Sequence, residues 1–462
     1  MKMELAEIAK AVQAKNDISR WQDREVTSVA FDSRNLTPGA LFVPLTGAQD
    51  GHKFVPAAFE NGAAATLWAA DHALPDDDQP RLVVADPLAA LQALGKYYLH
   101  KINPVVVAVT GSNGKTTTKD MIAAILATQM NVTKTPANFN NQIGVPVTLL
   151  NMDASTEAVV VEMGMDHFGE LDLLSKLVTP DIAVITMIGE AHIEFFGTRD
   201  KIADAKMEIT HGLQEDGFLV YNGDEPLLRE RVADLAQESR AFGRQLDNDL
   251  YATSVTAQGN QLTFTVNEWP DEEFTIPLLG EYNVNNALAA MTVGKLLHVS
   301  AGHMKAALAH FDLTANRTEW VSGKHGERIL SDVYNSNPTA VHEVLKTVAA
   351  VPATGKKVLV LGDMLELGKA GADLHAGLAK DISADQYAAV YLIGPLMANL
   401  RDRLLADGYP EGNLHYYQTD QQEEMAADLA ATLTAGDVVL LKASHGIHLE
   451  KTLAALRKQP EE

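Results

Sequence analysis

The stretch VVVAVTGSNGKTTTKDMIAAIL, Val105 to Leu126, decides how the chain folds. Its run of valines reads as a strand buried on both faces, and Met121, Ile122, Ile125 and Leu126 then recur at helical spacing. Between strand and helix lies Gly111-Ser112-Asn113-Gly114-Lys115-Thr116. Glycines there let backbone N–H groups approach phosphate oxygens, and the helix N-terminus adds partial positive charge. Lys115 adds a full charge and Thr116 a hydroxyl for Mg²⁺, with Thr117 next in line. Val109 stands where the first glycine of the usual phosphate-binding loop would be, so the loop reads G-x-x-G-K-T. The competing reading is an ordinary strand–helix turn with a surface lysine.

Outward from this stretch, further apolar runs follow: AVVVEM (158–163), IAVIT (182–186) and GFLVY (217–221). Helix-period segments separate them, the signature of a mostly parallel sheet with crossover helices. YATSVT and QLTFTV alternate around Gly259-Asn260 and predict an antiparallel hairpin, and a long helix near 283–297 follows. Before Asn103-Pro104 the chain mixes short strand candidates (VTSVAF, LFVPL, RLVVAD) with helices. Beyond about residue 315, ERILSDVY, KKVLVLGD, AAVYLIG, LHYY and DVVLLKA predict a separate unit of five strands. The reading is α/β in three domains, near 1–100, 101–315 and 316–462.

Composition removes whole classes of function. A net charge of −24, from 37 basic and 61 acidic residues, disfavours non-specific binding to nucleic acid or anionic membrane. With no cysteine, disulfides, thiolate metal sites and a cysteine nucleophile are excluded. No apolar run approaches the roughly 20 residues that span a bilayer, and the N-terminus lacks a signal-peptide core, so a soluble cytoplasmic chain is expected.

Several residues could carry chemistry. Glu162 ends a buried strand, where a carboxylate faces the ligand crevice of a parallel sheet and could hold a metal. His192 and Glu194 follow the next strand, with Lys206 on the helix after them. A lone histidine in a loop is more often bland than a ligand, though its place after the third strand of this sheet makes the two readings even, and a lysine on a helix normally reads as solvated. Asn138, Asn140 and Asn141 in TPANFNNQIGVP could form turns or meet a polar substrate. Asn283 and Asn286 lie one turn apart in GEYNVNNALAA, Arg317 sits before the third unit, and Asp332, Asn335 and Asn337 end its first strand.

Taken together, these segments resemble the Mur ligases, the ATP-dependent amino-acid-adding enzymes of peptidoglycan synthesis. SVAFDSRNLTPGALFVPLTGAQDGHKF, TGSNGKTTTKDM, NFNNQIGVP, EMGMDHFGEL, AHIEFFGTRDKIADAKMEI, GEYNVNNALAA, SDVYNSNP and LGDMLELG occur in family order. NFNNQIGVP, YNSNP and GDMLELG favour the members that add D-alanyl-D-alanine. The resemblance implies a small N-terminal α/β domain, with Asp32, Ser33 and Arg34 in a motif for the uridine nucleotide of UDP-N-acetylmuramoyl-tripeptide. It implies a central parallel-sheet domain binding MgATP, with the Gly111–Thr117 loop on the phosphates. Thr116 and Glu162 would hold one Mg²⁺ and His192 a second. Lys206 matches a position carbamylated in related ligases. Asn283 and Asn286 would meet adenine, and Arg317 and Asp332 the ribose and phosphates. Asn335 and Asn337 would join them from a Rossmann-like third domain that closes over the site. Asn138, Asn140 and Asn141 stand in the substrate-binding block. Lys442-Ala443-Ser444-His445 stands where the family commonly shows Lys-Gly-Ser-Arg, and histidine cannot copy arginine's bidentate fork. A monomer suits such domain motions. The alternatives are a sister ligase adding lysine or diaminopimelate, and an ATP-binding regulator without ligase activity.

Overall fold

The computed structural model describes residues 1–314 and 319–458, so Arg317 lies outside the described residues. At the N-terminus, β1 (Met3–Glu4) pairs antiparallel with β2 (Glu25–Val26). Four short parallel strands follow in sequential order: β3 (Ser28–Ala30), β4 (Ala40–Phe42), β5 (Ala65–Ala69) and β6 (Arg81–Val84). The helix Pro87–Ile102 leads out of them. Asp86 caps it by accepting from the Leu88 N–H, and it stops at Asn103, which is left-handed at φ 54°. Pro104 then has no N–H to continue the helix.

The central sheet has nine strands: β7 (Val105–Thr110), β8 (Val132–Lys134), β9 (Ala158–Glu162), β10 (Ile182–Ile185), β11 (Phe218–Asn222), β12 (Glu238–Gly243), β13 (Leu250–Gln258), β14 (Gln261–Val266) and β15 (Glu273–Ile276). Their spatial order is β15-β14-β13-β12-β11-β10-β7-β9-β8. Pairing is parallel from β8 across to β13, and β13, β14 and β15 form the antiparallel extension turned at Gly259-Asn260. The valine strand β7 lies between β9 and β10, so successive connections leave it in opposite directions. That is the switch point at which open α/β sheets bind ligands, and the glycine loop emerges there.

The third sheet comprises β16 (Glu319–Ser322), β17 (Arg328–Asp332), β18 (Lys357–Gly362), β19 (Ala389–Ile393), β20 (Leu414–Tyr417) and β21 (Val438–Lys442), in the order β16-β17-β21-β18-β19-β20. The expected five strands are therefore six. The addition, β16, is an antiparallel edge strand whose sequence, EWVS, is too short and too mixed to show a period of two.

Both faces of each large sheet are packed. Val107, Val109, Val160 and Val184 meet Leu288 and Met291 of the helix Tyr282–Leu296 on one side. On the other side Ala108, Val159 and Val161 join Leu91, Leu94, Leu41 and Leu67 in one apolar cluster that runs without a break into the N-terminal sheet. The third sheet has two clusters of its own, around Leu359 and Leu361 and around Val360 and Leu441. Each such fully buried side chain contributes about 1.5–3 kcal/mol relative to exposure. Among the described residues no helix is long and apolar enough to cross a membrane.

Candidate active site

The helix Lys115–Leu126 starts without a side-chain cap, preceded by Gly114 at φ 82°. Its first N–H groups are therefore left for a ligand, and a helix N-terminus favours an anion. Two glycines are required by the shape of the loop. A Cβ on Gly111 (φ 150°) would stand 1.8 Å from Thr186 Oγ1, and one on Gly114 would stand 2.4 Å from Asn286 Oδ1. The loop is fixed from behind: the Ser112 N–H donates to the Met187 carbonyl (2.9 Å) and the Thr186 hydroxyl to the Asn113 carbonyl (2.5 Å). Lys115 Nζ lies across the loop, 2.8 Å from the Gly111 carbonyl it donates to.

Two cavities meet at this loop. The larger, about 590 Å³, takes in Ser112–Thr116, Asn140, Asn141, Glu162, His192 and Asn335, with Tyr334, Glu366, Ser444 and His445 from the third domain. The smaller, about 370 Å³, takes in Thr117, Asn283, Asn286 and Asp332 together with Asn222, Arg244 and Tyr282. Asn113, Gly114 and Asn335 line both. The carboxyl ends of the central and third sheets thus face one another across the loop. Their contact is polar: Asn113 and Asn337 exchange amide hydrogen bonds of 3.2 and 2.8 Å, and the Thr339 hydroxyl donates to Glu190 at 2.6 Å.

Glu162 is fully buried. The Asn140 amide donates to its Oε1 at 2.8 Å, while its Oε2 is buried with no hydrogen-bond partner among the described residues. A buried, unpaired carboxylate oxygen is costly unless a cation satisfies it. With the buried Thr116 hydroxyl on the same cavity wall, the donor set is the hard-oxygen kind that suits Mg²⁺.

His192 adopts the left-handed conformation at φ 62°, and its Nδ1 hydrogen-bonds Glu366 Oε2 at 2.5 Å. Burial pushes its pKa below the ordinary histidine value. Glu366 opposes that shift, and the charge of Lys115 reinforces it. The shift favours the neutral ring, the form in which histidine binds a metal. Lys206, which reads as solvated from sequence, is buried at 3% exposure and makes no hydrogen bond or ion pair among the described residues. Burial, then Lys115, hold its ammonium well below the usual lysine range.

Other expected residues serve the loop differently. Asn283 and Asn286 line the smaller cavity, but their amides are already committed. Asn283 donates to the Leu279 carbonyl (2.7 Å), Asn286 donates to Asn283 (3.0 Å), and the Thr118 hydroxyl donates to Asn286 (3.2 Å). Asn141 forms the turn into the next helix, accepting from the Ile143 and Gly144 N–H groups (3.1 and 2.9 Å), and Asn138 is exposed and lines neither cavity. Asp332 is held by the buried Lys442, whose Nζ lies 2.5 Å from it and 2.8 Å from the Asn335 carbonyl. Asn337 is buried and caps the helix Pro338–Ala350.

Asp32, Ser33 and Arg34 also line neither cavity. They form a short turn after β3 in which the paired Arg34 guanidinium and backbone N–H hold Asp32 down to about 2. The neighbouring Phe31 ring lies 6.1 Å from Phe139 of the asparagine block, which brings this motif beside the central domain. The Asp50-Gly51-His52 segment braces the same sheet. His52 Nδ1 donates to the Asp50 carboxylate (2.8 Å), and its Nε2 accepts from the Ala69 N–H (3.1 Å).

Sequence reasoning missed Tyr334, Glu366 and Arg244, and named Lys442 and Ser444 only as part of the Lys442–His445 segment. Lys442 was legible as a lysine closing a buried strand, but Glu366 reaches the site only through domain packing, 174 residues from its partner.

Three family descriptions match successive parts of the chain: Mur ligase family, catalytic domain, over residues 25–98; Mur ligase middle domain, over 109–294; and Mur ligase, glutamate ligase domain, over 316–445. The chain is 39% identical over 461 residues to the UDP-N-acetylmuramoyl-tripeptide–D-alanyl-D-alanine ligase of Bacillus subtilis, covering 100% of this chain and 99% of that one. It is 33% identical to the protein of the same name from Escherichia coli, with 80% and 82% covered. Among solved structures, MurF from Acinetobacter baumannii matches with a TM-score of 0.86 at 27% identity, over 98% of both chains. MurF ligase from Thermotoga maritima, in complex with ADP, matches with a TM-score of 0.79 at 29% identity, over 93% of this chain and 97% of that one.

Proposed function

The chain belongs to the Mur ligase family, and on that premise we propose how its two cavities carry out the ligation. It is an ATP-dependent ligase that joins D-alanyl-D-alanine to UDP-N-acetylmuramoyl-tripeptide in peptidoglycan synthesis. A sister activity that adds a single amino acid, or a regulator without ligase chemistry, is not favoured, because the full-length relatives carry the dipeptide-adding name.

A carboxylate is a poor acyl donor, so it must first be activated. The tripeptide's terminal carboxylate attacks the γ-phosphoryl group of ATP, and ADP leaves. The amine of D-alanyl-D-alanine then attacks the acyl phosphate, loses its proton and expels phosphate. The first step brings two anions together, and neutralising them is most of the task. The observation that carries this reading is the phosphate loop at the junction of two cavities, with Asn113 and Gly114 on both walls. Adenosine takes the smaller cavity, against Asn283, Asn286 and Asp332, and the acyl donor's tripeptide end and the dipeptide take the larger. Gly111–Thr117 cradle the phosphates, and Lys115 neutralises the transferring group. Asn140 orients Glu162, and Asn335 and Asn337 bring the third domain onto the loop. Asp32, Ser33 and Arg34 hold the uridine nucleotide, with Asn138 and Asn141 beside it.

Thr116, Glu162 and His192 would hold Mg²⁺, which when bound neutralises phosphate charge. Lys206 is the carbamylated position in this reading. Burial and Lys115 lower the pKa of this amine and so favour the neutral form, which adds to CO₂ giving a carbamate anion and a proton, and the product sets an anion near Lys115. Closure of the third domain excludes water that would hydrolyse the acyl phosphate. The chain works as a cytoplasmic monomer of three units, near 1–100, 101–315 and 316–462.

The test is phosphate release from MgATP with UDP-N-acetylmuramoyl-tripeptide and D-alanyl-D-alanine, omitting each in turn. Release that needs all three, with a pentapeptide product by mass, is the expected result. Release that ignores both peptides would refute the reading.

A further inference from the structure

His192 and Glu366 come from different domains, one from the loop after β10 and the other from the loop after β18. Each is a left-handed non-glycine residue with φ of 62°. Strain of that kind persists where the surrounding structure requires it, and it clusters at functional sites. Two bonds tie the loops together: Glu366 Oε2 to His192 Nδ1 at 2.5 Å, and the Glu194 N–H to the Glu366 carbonyl at 3.1 Å. Gly368, left-handed at φ 55°, lets the second loop lie flat on the first, since a Cβ there would stand 3.2 Å from Glu194 Cγ. The paired side chains are 31% and 46% exposed, so the contact is a poor candidate for structural glue. Its geometry, by contrast, settles which nitrogen of the ring does what. A carboxylate on Nδ1 makes that nitrogen the N–H, and leaves Nε2 as the lone-pair nitrogen of a residue on the wall of the larger cavity.

We propose that Glu366 is a positioning residue: docking of the third domain places its carboxylate on His192 Nδ1 and so presents Nε2 as the ligand nitrogen, joining domain closure to completion of the cation site. The inference rests on the reading of His192 as a ligand of the second divalent cation.

The test uses the full-length enzyme with a non-hydrolysable ATP analogue and Mn²⁺, titrated by electron paramagnetic resonance, alongside kcat and KM. Glu366→Ala is expected to weaken the second Mn²⁺ by about 10- to 100-fold, the usual cost of losing an outer-shell partner. Glu366→Gln, whose amide oxygen accepts the same hydrogen bond, is expected to stay within about threefold of wild type. Arg328→Met removes the bridge from Arg328 to Asn260 elsewhere on the same domain seam, and is expected to leave Mn²⁺ affinity unmoved. Wild-type Mn²⁺ affinity in Glu366→Ala, with weakened affinity in His192→Ala, would overturn the inference alone. Equal losses in the Ala and Gln variants at position 366, or in the Arg328 variant, would overturn it too. Wild-type affinity in His192→Ala would overturn the ligand reading and the inference together.

Discussion

Replacing Lys206 with methionine should make the protein more stable and nearly inactive, and the structure sets the size of the first effect. The side chain is buried, unpartnered among the described residues, and repelled by Lys115. Its folded pKa lies well below the 10.5 of a free lysine. Above 10.5 the amine is neutral in both states and contributes nothing. As pH falls below 10.5 the unfolded chain takes up a proton that the folded chain refuses, so wild type loses stability relative to the variant. The loss is about 1.4 kcal/mol for each pH unit, until the depressed folded value is reached. Methionine has similar bulk and no charge, so packing changes little. Hydrogen exchange of the helix Arg199–Met207, in CO₂-free buffer from pH 8 to 10, reads this locally without requiring the whole chain to unfold at once. The variant should gain on wild type toward lower pH. Parallel stability curves, or a variant less stable throughout, would refute the buried, neutral amine. Turnover should fall by orders of magnitude, and short-chain carboxylates should partly restore it in Lys206→Ala.

Three further outcomes are expected. Lys115→Ala should cut turnover by orders of magnitude with an unchanged circular dichroism spectrum, and near-normal turnover would remove it from phosphate neutralisation. Gly114→Ala should abolish ATP binding by calorimetry: the left-handed conformation costs about 1–2 kcal/mol with a Cβ, and Asn286 must also yield. Glu162→Gln should erase the extra melting-temperature rise that Mg²⁺ adds to ATP while sparing the rise from ATP alone. Retention of the Mg²⁺ increment would place the cation elsewhere.

What the sequence made legible was whatever is local. The valine strand, its glycine loop and the helix after it are contiguous, and their period and punctuation survive in any context. So are Glu162 at a strand end and the hairpin at Gly259-Asn260. Short strands escaped: VTK at β8 and EWVS at β16 take their structure from partners rather than from a pattern. Lys206 shows the same limit from the other side. A helix position says nothing about which wall it faces, and only packing reveals that this lysine is enclosed. The commitments of Asn283 and Asn286 to one another, and of Lys442 to Asp332 across 110 residues, likewise belong to tertiary structure.

The apolar interior is divided unevenly along the chain. Leu41, Leu67, Leu91 and Leu94 share one cluster with Val159, Leu171 and Leu219, so the first two sheets are joined by hydrocarbon. The third sheet keeps its own clusters, touched from the central segment by Leu279 and the half-buried Ile193, and its hydrogen bonds to that neighbour run through amides, carboxylates and a hydroxyl. Water can replace those groups at little loss, whereas it cannot enter the first seam without exposing a core. Heated slowly, the molecule should therefore come apart as two calorimetric units rather than three, and ligands that bridge the polar seam should fuse those two endotherms into one.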